Sequence, residues 1–180
     1  LCIPQLGGRW YPPEPDVRGL WLGFAWGHRK EHLYRSILES VAYEYAMYLA
    51  RVRELIPGID LREVRVVGGG GRSALWNGIK ADVLGIPYGR LTRSDLATWG
   101  SALIAGHAVG IFPDLAAAAR ARAHVVERVA PDLARHRMYA PFVSVYPRLF
   151  DSNREMFETL SGVTTVGGHT AAADRRAGED

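Results

Sequence analysis

A run of four glycines is the feature of this sequence whose residue types best suit ligand binding. Gly68, Gly69, Gly70 and Gly71 follow an apolar segment, and Ser73 begins a helical pattern immediately afterwards. Glycines let a ligand approach the backbone closely, and a helix N-terminus offers free N–H groups with a partial positive charge. The pattern therefore predicts a phosphate or nucleotide site. A tight turn that packs a helix closely on a strand is the alternative.

Two common nucleotide motifs do not account for this run. The sequence contains no G-x-x-x-x-G-K-[ST] loop. It also lacks a G-x-G-x-x-G run followed by an acidic residue about 20 positions later, which is typical of dinucleotide-binding folds. A generic dinucleotide-binding protein is therefore disfavoured.

Other residues that could carry chemistry are better explained by structure. His28 and His32 are four positions apart, which could place two metal ligands on one helix face, but no third ligand accompanies them. Asp82 could bind a metal, and we favour a buried hydrogen-bonding role for it instead. Cys2 is the only cysteine, so a disulfide within the chain and a cysteine-rich zinc site are excluded. We predict no metal site and no catalytic residue.

The elements that must position the glycine run alternate along the chain. Apolar periodicity predicts short strands and helices in turn, and residues 125–129 fit either type. The predicted strands are 19–25, 64–67 and 86–91, and the predicted helices are 28–56, 73–85, 95–109, 113–123 and 141–160. Alternation of this kind indicates an α/β architecture.

Length and charge limit the class of protein. The 180 residues suffice for one domain, and the net charge of +3 comes from scattered basic residues, which argues against nucleic-acid binding. No apolar run is long enough to span a membrane. The first residue is Leu1 and residues 1–18 lack a signal-peptide pattern, so we expect the chain to begin inside a larger protein.

Four stretches, in order and in register, resemble the FGGY family of carbohydrate kinases, in its xylulokinase-like branch. The segment VVGGGGRSALWNGIKADVLGIPY is similar to the family's G-G-G-x-R-S-x-L-W-x-Q-x-x-A-D-V-x-G-x-P stretch. The other three are PPEPDVRGLWLGFAWGHRKEHLYRSILESVAYEY, LATWGSALIAGHAVGIF and YAPFVSVYPRLFDSNREMF. Together they cover about residues 5–160.

The resemblance implies an actin-like, ribonuclease H-like ATPase fold. The chain resembles the C-terminal, nucleotide-binding half of a two-domain cytoplasmic enzyme that transfers the γ-phosphoryl group of MgATP to a sugar hydroxyl, with a pentulose such as xylulose as the expected acceptor. The implied divisions are an entering loop over 1–18, the domain over 19–162 and a disordered tail over 163–180. The implied partners are ATP, Mg²⁺ and a sugar bound through the absent N-terminal half, and the exposed faces permit a homodimer.

The family's nucleotide contacts carry over to the glycine run. The resemblance places Gly69 beside adenosine and its phosphates and Ser73 on the adenine side, while Gly68, Gly70 and Gly71 shape the turn. Gly78 departs from the family's usual Gln. The family's D-x-G-T motif and catalytic Asp belong to the other half, so this chain alone is expected to be inactive. A non-catalytic actin-like remnant that acts as a binding or structural domain is the alternative.

Overall fold

The computed structural model describes residues 1–92, 95–121 and 123–163. The chain forms two compact units. The first comprises Leu1–Tyr43 and the described residues from Pro141 onwards, and the second comprises Glu44–Ala140. Residues 164–180, which make up nearly all of the predicted tail, lie outside the described residues, whereas Val163 is helical, as are residues 154–162.

The first unit contains a two-stranded antiparallel ribbon and helical segments. Strand β1 (Cys2–Ile3) pairs with β2 (Leu20–Trp21), so the predicted strand over 19–25 is much shorter than expected. Helix α1 (Lys30–Leu55) begins in this unit and matches the prediction for 28–56 closely. Cys2 lies in strand β1 and is fully buried, although it falls within the entering loop expected over 1–18.

Aromatic rings in tilted and edge-to-face contact form part of the core of the first unit. The Tyr146 side chain is fully buried, and its ring centroid lies 5.4 Å from that of Tyr43 and 5.5 Å from that of Phe150. The Arg9 guanidinium lies 4.0 Å from the Phe150 centroid and pairs with Glu14 at 3.0 Å. Aromatic pairs at these distances contribute beyond the area that they bury.

The second unit contains a three-stranded mixed sheet with the order β3-β4-β5. Strand β3 (Val64–Val66) is parallel to β4 (Tyr88–Leu91), and β5 (Val125–Val129) is antiparallel to β4. Helix α2 (Ala74–Leu84) connects the two parallel strands, as a parallel pair requires a crossover. The sequence left 125–129 undecided, and pairing with β4 makes this segment a strand.

The remaining helices of this unit begin and end close to the predicted positions. Ser73 is the N-cap of α2 and Gly85 ends it in the left-handed conformation, with φ of 66°. Helices α3 (Leu96–Ala108) and α4 (Leu115–Arg120) follow, and the Asp114 carboxylate caps α4 by accepting from the Ala117 N–H.

Helix α5 (Leu133–Ser152) begins earlier than the sequence suggested. The predicted start at Pro141 is wrong, because Asp132 caps the helix by accepting from the N–H groups of Ala134 and Arg135. Both Pro141 and Pro147 lie inside the helix. Proline usually marks a helix start or break, so the prolines obscured the cap signal upstream.

Asp82 joins helix α2 to the start of α5. Its carboxylate is 4% exposed and accepts from the Asp132 N–H at 2.7 Å and from Arg135 Nε at 2.6 Å. The Asp82 carbonyl also lies 2.8 Å from His136 Nδ1. The preferred interpretation of Asp82 as a buried hydrogen-bonding residue agrees with these contacts.

Replacement of Gly78 by alanine is expected to stabilise the second unit. Gly78 lies inside α2, and a Cβ built there meets no described atom within 4 Å, so Ala adds helix propensity without a clash. The free energy of unfolding should rise by up to about 1 kcal/mol, measured by urea denaturation. Gly85→Ala is the contrasting variant, because its Cβ would lie 2.9 Å from the His136 ring at a φ of 66°. A stabilising Gly85→Ala would contradict this account.

Loss of the Asp82 carboxylate is expected to destabilise the second unit. Asp82→Ala leaves the Asp132 N–H and the Arg135 guanidinium without their buried acceptor, which should lower the free energy of unfolding by about 1–3 kcal/mol. Asp60→Ala is the control, because Asp60 pairs with Arg62 on the surface and should change stability by less than about 0.5 kcal/mol. Equal effects of the two substitutions would refute the bridging role.

Candidate functional site

The four glycines form a tight turn between β3 and α2. Gly68 has a φ of 77°, a left-handed conformation that favours glycine. Residues Gly69–Arg72 then form one turn of 3₁₀ helix, in which the Gly71 N–H donates to the Gly68 carbonyl at 3.2 Å. The backbone therefore reverses from strand to helix within a few residues.

Backbone conformation explains the glycine at one of these four positions, and packing explains it at two others. Gly68 requires its backbone conformation, a Cβ at Gly70 would lie 2.7 Å from the Trp76 ring, and a Cβ at Gly71 would lie 3.2 Å from Val66. Gly69 is different. It is exposed, its φ is not left-handed, and a Cβ there would meet no described atom within 4 Å. Nothing in the described part of the chain requires glycine at position 69.

Two polar side chains fix the start of α2 against the turn. The exposed Ser73 accepts from the Trp76 N–H at 3.2 Å through its Oγ, and its carbonyl accepts from the Asn77 N–H at 2.9 Å. Asn77 is 3% exposed, and its Nδ2 donates to the Gly71 carbonyl at 2.8 Å. Sequence reasoning missed Asn77, although an amide one turn after a glycine run is a pattern that could have identified it.

A depression of about 240 Å³ lies beside the turn. Its lining includes Gly68, Gly71, Arg72, Arg90 and Thr92. Arg90 Nε also donates to Glu127 Oε2 at 2.8 Å, and Thr92 Oγ1 donates to the His124 carbonyl at 2.9 Å. Among the described residues that line the depression, two are cationic and none is acidic, which suits an anionic ligand.

The other candidate residues lie outside this site and have structural contacts. Nδ1 of His28 accepts from the Ala25 N–H at 2.7 Å and Nδ1 of His32 accepts from the Arg29 N–H at 3.0 Å, with the two ring centroids 5.4 Å apart. Within the described ranges, no group of three His, Cys, Asp or Glu side chains could hold a metal ion. Burial raises the pKa of the Cys2 thiol to about 11, which leaves little of the reactive thiolate at neutral pH.

None of the helices in the described residues is long and apolar enough to cross a membrane.

Comparison with known proteins identifies relatives for this arrangement. A xylulose kinase of Staphylococcus epidermidis is 24% identical over 165 residues, which cover 91% of this chain and 33% of that protein. A glycerol kinase of Deinococcus radiodurans is 38% identical over 113 residues, which cover 62% of this chain and 22% of that protein. The chain thus spans a third or less of the length of these curated relatives.

Solved structures of similar fold belong to the same group of enzymes. A ligand-bound xylulose kinase from Lactobacillus acidophilus superposes with a TM-score of 0.75 at 19% identity, over 89% of this chain and 32% of that one. A xylulose kinase from Rhodospirillum rubrum gives a TM-score of 0.67 at 25% identity, over 88% and 31% of the two chains. The predicted actin-like ATPase fold is confirmed by these neighbours.

A family model described as the C-terminal domain of the FGGY family of carbohydrate kinases matches residues 1–109. This range contains strand β3, the glycine turn and helix α2 in full. The match covers more than half of the chain, and the chain therefore belongs to the FGGY family of carbohydrate kinases.

Proposed function

We propose that this chain is the nucleotide-binding C-terminal domain of a kinase that transfers the γ-phosphoryl group of MgATP to a sugar hydroxyl. The observation that carries the proposal is Gly69, the glycine of the turn that neither packing among the described residues nor a left-handed φ explains. A glycine that is exposed and unconstrained by its neighbours is suited to close approach by a ligand. Arg72 and Arg90 in the adjacent depression supply positive charge for that ligand.

Each residue of the turn has a separate proposed role toward a bound nucleotide. Gly69 leaves room for adenosine, Gly68, Gly70 and Gly71 shape the backbone, and the Ser73 hydroxyl can donate its proton while Oγ accepts from the Trp76 N–H. Bound MgATP would supply the transferable phosphoryl group, and Mg²⁺ would arrive with the phosphates. Phosphoryl transfer depends mainly on positioning and charge stabilisation, and this domain contributes positioning.

The acceptor is proposed to be a pentulose such as xylulose. The supporting observation is that xylulose kinases are similar over 91% of this chain, whereas the glycerol kinase with the higher identity is similar over 62%. We assign the nucleotide-binding domain to residues 19–162, with residues 1–18 leading into it. The complete enzyme is assigned to the cytoplasm, where ATP is available.

The general base of the proposed reaction is assigned to the part of the enzyme that precedes this chain. A kinase needs a general base within hydrogen-bonding reach of the sugar hydroxyl. The buried carboxylate of Asp82 is engaged by Asp132 and Arg135, which leaves it unsuited to that task. The base and most sugar contacts are therefore assigned to the N-terminal half of the complete enzyme.

Gly69→Val is expected to weaken ATP binding without unfolding the protein. The branched side chain would enter the space assigned to adenosine, and its Cβ would meet no described atom within 4 Å. ATP affinity, measured by isothermal titration calorimetry on the 180-residue chain, should fall at least about ten-fold. Ser73→Ala removes a hydrogen bond of about 1 kcal/mol, so a loss of about five-fold is expected.

Gly100→Val is the matched control for this experiment. Gly100 lies in α3, and a Cβ there also meets no described atom within 4 Å. The melting temperature and ATP affinity are measured on the same preparation of each variant. Unchanged ATP affinity in folded Gly69→Val protein would remove Gly68–Ser73 from the nucleotide site and would favour the alternative of a non-catalytic remnant.

The 180-residue chain alone is expected to have no sugar kinase activity. The reason is the assignment of the general base to the other half of the enzyme. Coupled assays of ADP release with MgATP and a panel of pentuloses and polyols should remain at background. Turnover that co-purifies with the chain and is lost in Gly69→Val protein would contradict the two-domain assignment.

A further inference from the structure

A second cavity in the second unit is larger than the depression beside the glycine turn. It has a volume of about 470 Å³, which lies within the range of small-molecule sites. Its walls are mostly apolar and come from the later part of α1, from β3, from α2 and from the start of β4. They include Tyr45, Leu49, Val52, Val64, Ile86 and Tyr88. None of Gly68–Ser73 lines it.

A buried lysine lines this apolar cavity. Lys80 is 2% exposed, and its Nζ lies 3.9 Å from the centroid of the Trp76 ring and 5.7 Å from that of Tyr88. No carboxylate of the described residues forms an ion pair with it. The two aromatic faces offset part of the cost of burying a cation, but a cation without an anionic partner remains costly. Desolvation accordingly lowers the pKa of Lys80.

Among the described residues, the charged side chains that line the cavity are all basic. Arg65 also lines the cavity, where its Nε donates to Glu63 Oε1 at 3.2 Å. Of the described residues that form the lining, none is Asp or Glu. An anion that entered this space could therefore form a charge-assisted hydrogen bond with the Lys80 ammonium, and no acidic side chain of the described lining would repel it.

Tyrosine side chains make the same cavity suitable for a flat apolar body. Tyr45, Tyr48 and Tyr88 all contribute to the lining. Burial raises the pKa of Tyr88, so its hydroxyl keeps its proton and can donate a hydrogen bond. The Tyr48 hydroxyl donates to Glu44 Oε2 at 2.7 Å, which leaves its ring to form part of the wall. Aromatic walls favour stacked or edge-on contact with a planar ligand.

We propose that this cavity binds a small amphipathic carboxylate, with the apolar body between α1, β3 and α2 and the carboxylate paired with Lys80. The site is separate from the nucleotide turn and does not depend on the kinase assignment. Its selectivity comes from charge, because a neutral molecule of the same shape would leave the Lys80 ammonium without an anionic partner.

Two probes of nearly identical shape test the proposal on the 180-residue chain. They are 2-naphthoate and the neutral 2-naphthalenemethanol, and their affinities are measured by isothermal titration calorimetry or by chemical-shift titration. The unmodified chain should bind the carboxylate at least about ten-fold more tightly than the alcohol. Lys80→Met should remove this difference, and Lys30→Met, at the only other lysine, should retain it.

Lys80→Met is expected to remain folded. Methionine has similar length, and removal of a buried cation without an anionic partner should leave the melting temperature unchanged or raise it. Lys80→Gln provides a second variant that also lacks the charge. Three results would overturn the proposal: similar affinities of the two probes for the unmodified chain, no binding of 2-naphthoate below about millimolar concentration, or a preference for the carboxylate that persists in both Lys80 variants.

Discussion

The second unit depends on a turn that can form only because side chains are missing from three of its residues. Gly68 adopts a left-handed φ. The missing side chains of Gly70 and Gly71 leave room for the Trp76 ring and for Val66, respectively. A Cβ at position 70 would overlap the Trp76 ring at the start of α2, and a Cβ at position 71 would crowd Val66 at the end of β3. The turn therefore sets how closely the start of α2 packs against the end of β3, and α2 is the crossover that joins β3 to β4.

Helix α2 carries three buried polar side chains, Asn77, Lys80 and Asp82, and each makes different contacts. Asn77 holds the Gly71 carbonyl and so ties the helix to the turn from which it starts. Asp82 accepts from the first residues of α5 and ties the helix to the next element. Lys80 has aromatic neighbours but no described carboxylate partner. The Asp82 carboxylate and the Asn77 Nδ2 have partners within the fold, whereas the Lys80 ammonium is the group that the proposed ligand would pair with.

Family membership and the local geometry both support the proposal that this chain binds the nucleotide, while the other catalytic groups belong to the N-terminal half of the enzyme. The chain covers about a third of the length of its curated relatives, and a kinase reaction needs a base, a phosphate-positioning loop and an acceptor site. In the proposed function, the glycine turn is the surface that the nucleotide contacts. Arg72 and Arg90 add positive charge beside it. The chemistry proposed for the complete enzyme therefore requires residues outside this chain.

Local sequence signals determined much of this protein. The glycine run, the Ser73 cap and the stop at Gly85 fixed the limits of α2, because capping and left-handed turns depend on few neighbouring residues. The same holds for α1, whose apolar stripe is long and regular. The four family-like stretches predicted the fold that structural comparison confirmed.

Tertiary contacts decided the rest. Segment 125–129 became a strand because β4 offered a partner, and α5 continued past Pro141 because the Asp132 cap and later packing outweighed the cost of a helical proline. The roles of the individual glycines also required the folded chain, since only the positions of Trp76 and Val66 separate Gly70 and Gly71 from Gly69. The isolation of the Lys80 cation could not be read from the sequence, because it depends on which carboxylates lie near in space.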